Sequence, residues 1–155
     1  MNERQKKDEP HEALQRAMAL NNKGLALARA RRFEEALPCF EEALTLFQRK
    51  NEPIMVAEQW GNIGSVYRDL ERHEKALESY FQALSIYTAN GRSEGVADQY
   101  TNIAYIHAMK ESYGEALDWY RKAVPLYEES KSEKKLAFTR QNIERLERGL
   151  EGDPR

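Results

Sequence analysis

The clearest indication of the fold is the segment AEQWGNIGSVYRDLERHEKALESYFQALSIY, residues 57–87. Its apolar residues recur every three or four positions, which places them on one face of an α-helix. The pattern breaks once, at Glu71 and Arg72, and then resumes. No part of the stretch alternates apolar and polar residues with the period of two that is typical of a half-buried strand. The stretch therefore predicts two antiparallel helices joined by a tight turn.

The same pattern recurs at a spacing of 40 residues along the whole chain. The first half of each unit repeats an alanine and an asparagine: Ala17, Ala57, Ala97, Ala137 and Asn22, Asn62, Asn102, Asn142. The second half repeats two aromatic positions: Phe40, Tyr80, Tyr120 and Phe47, Tyr87, Tyr127. A fixed period of this length indicates a repeat architecture in which stacked helical hairpins bury one another's apolar faces. The fold class is therefore all-α, with three hairpins and a final half-unit.

The spacing also predicts the domain organisation. Helices are expected over residues 11–30, 33–49, 53–70, 73–89, 93–110, 113–129 and 133–149. They form one domain over residues 11–150, with repeats at about 11–50, 51–90 and 91–130 and a capping helix within 131–150. In the capping helix, Leu136, Ile143 and Leu146 are expected to cover the last hairpin, whereas Lys135 and its charged neighbours face water. The charged residues 1–10 and the last residues 151–155 are expected to be flexible.

Composition excludes several classes of function. The 155 residues include 24 Lys plus Arg and 26 Asp plus Glu, which gives a formal net charge of −2. This balance disfavours a dedicated nucleic-acid binder or a polybasic membrane-surface protein. The chain has one cysteine, no apolar run long enough to span a membrane and no visible signal peptide. A soluble cytoplasmic protein is the expectation.

The residues that carry chemistry in enzymes are not arranged for it in this sequence. No histidine has a second histidine or a cysteine three or four residues away, and one cysteine cannot complete a zinc site. Gly61 and Gly64 lie within a predicted helix and are not followed by the Gly-Lys-Ser/Thr of a phosphate loop. The sequence thus predicts a protein that is not an enzyme and that holds no metal and no cofactor.

The motif Trp60-x-x-Ile63-Gly64-x-x-Tyr67, followed by Ala76-x-x-x-Tyr80-x-x-Ala83-Leu84, resembles the tetratricopeptide repeat. The resemblance covers roughly residues 14–149. The unit of 40 residues, longer than the family's usual 34, is similar to the subclass found in kinesin light chains, the spindle adaptor LGN or Pins, and bacterial peptide-sensing regulators. The resemblance implies a right-handed superhelix whose first helices line a concave groove, and it implies binding rather than catalysis.

The resemblance also places particular rows of residues in that groove. The rows are Met18, Glu58, Asp98, Phe138; Asn21, Gly61, Thr101, Gln141; Asn22, Asn62, Asn102, Asn142; Leu25, Ser65, Tyr105, Arg145; and Ala28, Arg68, Ala108, Arg148. The candidate partner-binding residues among them are Asn22, Asn62, Asn102, Asn142, Arg68, Tyr105, Arg145, Glu58 and Asp98.

The asparagine row is the most informative of these. Asparagine is a poor helix former, because its side chain competes for backbone hydrogen bonds, so four in mid-helix require a reason. A primary amide offers two donors and an acceptor, which suit the N–H and C=O groups of an extended peptide. In the long-repeat relatives, the matching asparagines are used in this way. The alternative is that these asparagines bond neighbouring helices and set the packing.

A second family site does not match this chain. Co-chaperone members hold a terminal carboxylate with a clamp of Lys, Arg and Asn. The corresponding residues here are Asn21, Leu25, Asn62, Asp98 and Asn102. Only Asn62 fits, and Asp98 has the wrong charge, so a clamp of that kind is not expected.

Three functions follow as hypotheses. The leading one is a non-enzymatic interaction module that binds a peptide or a partner protein in the groove. The alternative is a structural scaffold that self-associates, for example through Phe138 or Leu150 on the last helix. RNA binding is a third class, which the acidic groove residues and the sequence pI of about 6.0 disfavour.

Overall fold

The computed structural model describes the backbone of residues 3–150 and the side chains of residues 11–150. Within this range the chain forms seven α-helices and no strand. They are α1 (Glu3–Arg29), α2 (Phe33–Arg49), α3 (Pro53–Asp69), α4 (His73–Ala89), α5 (Ser93–Met109), α6 (Tyr113–Glu129) and α7 (Glu133–Leu150). The all-α prediction is confirmed. Helix α1 begins at Glu3 rather than near residue 11, and the predicted flexible C-terminus lies outside the described residues.

All six turns between these helices have the same backbone geometry. One residue in each turn has a positive φ of 56–62°: Arg31, Asn51, Glu71, Gly91, Glu111 and Lys131. The N–H of the next residue donates to a carbonyl five residues earlier, as from Arg72 to Tyr67 at 2.8 Å. This is the left-handed C-terminal cap that satisfies carbonyls at the end of a helix. Because the turns recur every twentieth residue, α2 to α6 all have the same length of 17 residues.

The residues fall into two compact units, 1–86 and 87–155, and each is described by itself. In the first unit, aromatic rings of second helices pack directly on glycines of first helices. A Cβ on Gly24 would lie 2.7 Å from the ring of Phe40, and a Cβ on Gly64 would lie 2.6 Å from the ring of Tyr80. Glycine is therefore required for this close approach of helix and ring. Both rings are almost fully buried.

In the second unit, the aromatic residues of α6 fill the core between α5 and α7. Tyr120 packs with Ala104 and Leu146, and Ile143 borders the same cluster. Tyr127 packs with Ala97, and Leu136 lies against that pair. These contacts hold α7 on the second unit through the three apolar residues that its sequence pattern singles out.

No helix within the described residues is both long and apolar enough to cross a membrane.

Candidate functional site

In the second unit, the candidate site residues lie along one face of α5 and one face of α7. Four residues of α5 are spaced three or four positions apart and therefore share one side of the helix: Asp98, Asn102, Tyr105 and Met109. The residues 40 positions later occupy the same positions on α7: Phe138, Asn142, Arg145 and Gly149. Tyr105, Met109 and Phe138 are exposed, at 42%, 42% and 61%. This pair of helix faces therefore combines exposed apolar groups with amides and one arginine.

Asp98 does not stand free on this face. The Tyr127 hydroxyl donates to it at 2.7 Å, and Lys135 Nζ donates to both of its carboxylate oxygens at 2.8 Å. Lys135 also pairs with Glu94 at 2.8 Å. Lys135 is exposed, as the sequence predicts, and its ammonium group also bridges two carboxylates of α5. A partner that uses Asp98 has to compete with this network.

The network changes the acidity of its members. The hydrogen bond from Lys135, together with its positive charge, lowers the pKa of Glu94. Partial burial acts to lower the pKa of Lys135, but its bonds to Asp98 and Glu94 outweigh that effect and raise it. The carboxylate of Glu94 and the ammonium group of Lys135 therefore each favour the charged form of the other. At neutral pH the ion pairs join α7 to α5.

Two asparagines of the candidate row lie in this unit, and they differ in their environment. Asn102 is half-buried on α5, and its side chain makes no hydrogen bond within residues 11–150. Asn142 is buried, at 7% exposure, and its Oδ1 accepts a hydrogen bond from Arg145 Nη2 at 3.3 Å. The amide nitrogen of Asn142 has no partner within the described residues. Within the described residues, Arg145 is thus the hydrogen-bond partner of the Asn142 side chain.

In the first unit, the structure shows an interhelical contact for Asn62. Its Nδ2 donates to Asn21 Oδ1 at 3.1 Å, and Gln59 Nε2 donates to the same oxygen at 3.0 Å. This contact joins α3 to α1, which is the packing role considered for the row. Asn62 keeps a second amide hydrogen and its carbonyl oxygen for another partner. Asn22, one unit earlier, is exposed.

The remaining candidates of the first unit are the charged residues Glu58 and Arg68. Glu58 is exposed on α3. Arg68 Nε pairs with Asp69 at 2.8 Å and lies close enough to Tyr80 to act on its hydroxyl. Burial raises the pKa of Tyr80, while the Arg68 charge acts to lower it.

The sequence pattern contains a further polar row on the first helices, which the candidate residues do not include. Gln59, Gln99 and Thr139 recur at the same spacing of 40 residues and are buried, at 0%, 4% and 1% exposure. One side-chain oxygen of each has no hydrogen-bond partner within the described residues. The spacing of 40 residues is the sequence signal for this row. The signal is weakened because the corresponding residue of the first repeat is Ala19, which is not polar.

The described residues contain no group of three or more His, Cys, Asp or Glu side chains that could hold a metal ion. Cys39 is buried, and its thiol donates to the backbone oxygen of Glu35 at 3.6 Å.

Repeated helical hairpins with small residues facing aromatic rings define a class of repeat proteins built for recognition. Two models described as tetratricopeptide repeat match the chain, one over residues 55–129 and one over residues 17–49. Together they cover more than two thirds of it. The chain belongs to the tetratricopeptide repeat family, whose fold is generally a non-enzymatic protein-interaction module.

No curated protein matches this sequence. Among solved structures, BtubC (BKLC) from P. vanneervenii is similar with a TM-score of 0.73 and 22% identity, covering 94% of this chain and 65% of that one. Aspartyl phosphate phosphatase F from Bacillus subtilis has a TM-score of 0.86 and 15% identity, covering 88% of this chain and 36% of that one. The apo form of RapI has a TM-score of 0.76 and 23% identity, covering 84% of this chain and 47% of that one. This chain thus spans two thirds or less of these proteins, and the likeness shows the fold.

Proposed function

We propose that this protein is a non-enzymatic module that binds an extended peptide, or an extended segment of a partner protein, on the faces of its first helices that carry the asparagine row. The observation that carries the proposal is the side chain of Asn102. It lies half-buried in mid-helix on α5, beside exposed Tyr105, and makes no hydrogen bond within residues 11–150.

An amide in this position costs stability unless a ligand uses it. Asparagine is less favourable than alanine in a helix interior, and a partly desolvated amide loses hydrogen bonds to water. An extended backbone presents the complementary N–H and C=O groups regardless of its side chains. In the second unit, Asn102 is the group proposed to bind such a backbone. In the first unit, the remaining amide hydrogen and the carbonyl oxygen of Asn62 are the corresponding groups.

The test is affinity capture of partners from native lysate with an Asn62→Ala, Asn102→Ala double variant. We expect affinity for the retained partner to fall about 10- to 100-fold, since each lost hydrogen bond contributes roughly 0.5–1.5 kcal/mol. Binding of the captured partner is then quantified by titration calorimetry, and thermal melting checks that the variant is folded.

The matched control is a Gln48→Ala, Gln82→Ala variant. It also removes two primary amides, but from exposed positions on second helices. The control is expected to bind as the wild type does. Unchanged affinity in a folded asparagine double variant would overturn the proposal.

A second candidate function is self-association through the last helix, and the exposure of Phe138 and Leu150 favours it. These side chains are 61% and 54% exposed on α7. Burying an aromatic side chain of this size against a second copy is favourable by roughly 1.5–3 kcal/mol. The expected result is dimerisation at high concentration in sedimentation equilibrium, abolished by Phe138→Ser and retained in Phe81→Ser, whose exposed aromatic lies on α4. A wild-type monomer at every concentration removes this candidate.

A further inference from the structure

A cavity of about 480 Å³ opens between α5, α6 and α7 in the second unit. Its volume lies within the range of about 300–1,000 Å³ that is usual for small-ligand sites. The lining residues are Tyr105, Ala108, Met109, Tyr113, Arg145, Leu146 and Gly149.

The walls of the cavity are mostly apolar and accessible. Tyr105 and Met109 lie about one turn apart on α5, and Tyr113 contributes a second aromatic ring from the start of α6. All three side chains are exposed. Gly149 on α7 leaves the opposite wall open, because a Cβ added there would meet no atom within 4 Å.

Arg145 is the one charged residue among those that line the cavity. Its guanidinium donates to Asn142 Oδ1 at 3.3 Å, and no carboxylate within the described residues lies in ion-pair distance of it. Two neighbouring arginines differ in this respect, since Arg121 pairs with Glu147 at 2.7 Å and Arg140 pairs with Glu128 at 2.5 Å. The cavity thus combines an apolar interior with an arginine whose fork is available for an anion.

The geometry points to a subsite for the C-terminal residue of a bound peptide: a large apolar side chain lies between Tyr105, Met109 and Tyr113, and its α-carboxylate pairs with Arg145. This inference rests on the proposed peptide-binding function and specifies which end of the peptide the second unit holds. Arginine presents parallel N–H donors that match the two oxygens of a carboxylate.

The combination of apolar walls with a single arginine favours a terminal residue over an internal acidic one. A C-terminal residue carries its apolar side chain and its carboxylate on the same Cα, so one residue satisfies both the walls and Arg145. An internal Asp or Glu would need a second residue to fill the aromatic part. The subsite shares no residue with the five positions of the family's carboxylate clamp, which in this chain are Asn21, Leu25, Asn62, Asp98 and Asn102.

The test uses the full chain labelled with ¹³C at the methionine methyl groups and observed by NMR. The probes are N-acetyl-Gly-Phe with a free carboxylate and the same dipeptide with a C-terminal amide. We expect the carboxylate probe to shift the Met109 methyl signal saturably and the amide probe to bind at least tenfold more weakly. The methyl of Met18, which is 51% exposed on α1, is expected to stay unchanged.

Two variants test the contribution of the Arg145 charge and the contribution of the apolar cavity separately. Arg145→Gln is expected to remove the preference for the carboxylate probe, whereas Arg140→Gln, which changes another exposed arginine of α7, is expected to retain it. Gly149→Leu is expected to fill the cavity and remove the Met109 response to both probes. The α7 helix should persist in this variant, because leucine is a better helix former than glycine.

Four outcomes would overturn the inference: equal affinity for the two probes, a preference that survives Arg145→Gln, an equal response at Met18, or a Met109 shift on dilution without any probe. The last outcome would identify a second copy of the chain as the occupant. Failure of the terminal-residue subsite can be distinguished from failure of the proposed peptide-binding function. If the Asn62, Asn102 variant loses its partner but the probes show no preference, peptide binding stands and the terminal subsite is wrong.

Discussion

Replacing Tyr80 by alanine is expected to lower the free energy of unfolding by about 3–5 kcal/mol, the usual cost of truncating a large buried aromatic residue. Tyr80 is 0% exposed, and its ring lies against the backbone of Gly64. The loss should lie toward the upper end of this range, because a glycine has no side chain with which to refill the space. Urea denaturation followed by circular dichroism measures the change.

Tyr80→Phe is the matched control for this prediction. It keeps the ring and removes only the hydroxyl, which lies 3.3 Å from Ser65 Oγ. The expected cost is about 1 kcal/mol or less. Phe40, which packs on Gly24 at the corresponding position 40 residues earlier, shows that this packing accepts a phenylalanine. A Tyr80→Ala variant no less stable than Tyr80→Phe would contradict the packing account.

Raising the pH above about 10 is expected to destabilise the protein through its buried tyrosines. Burial raises the pKa of Tyr120 to about 12, against the partial opposing effect of the Arg145 charge. Burial also raises the pKa of Tyr80 and Tyr127. An unfolded tyrosine titrates near about 10, so the folded state binds the phenolic proton more tightly. The resulting stabilisation is fully present below about pH 10 and is lost as the pH rises toward 12.

For Tyr120 alone, this loss amounts to about 2–3 kcal/mol, since one pKa unit corresponds to about 1.4 kcal/mol. The measurement is the free energy of unfolding by urea at several pH values between 9 and 12. Tyr120→Phe is expected to reduce the pH dependence by the share of Tyr120, whereas Tyr113→Phe, which changes an exposed tyrosine, is expected to leave it as in the wild type. An unaltered profile in Tyr120→Phe would show that Tyr120 does not titrate with a raised pKa.

Most of the helix boundaries follow from local sequence. The sequence predicts α2 over residues 33–49, and the helix runs from Phe33 to Arg49. It predicts α6 over residues 113–129, and the helix runs from Tyr113 to Glu129. The reason is that the apolar period and the turn residues act within a few positions of each other. Helix α1 departs from this rule at its start, since the charged residues 3–10 carry no apolar period and are nevertheless helical.

The all-α repeat, its period and the helix faces that carry the candidate residues can all be predicted from the sequence, because side-chain direction along a helix is set by position. The contacts that each of these side chains makes depend on how the helices pack. The tertiary structure directs Asn62 to Asn21 and Lys135 to Asp98 and Glu94, and it leaves Asn102 without an intrachain partner within the described residues. It also forms the cavity at Arg145 and Gly149. These outcomes depend on the distance and rotamers of groups about 40 residues apart in the chain, which periodicity does not specify.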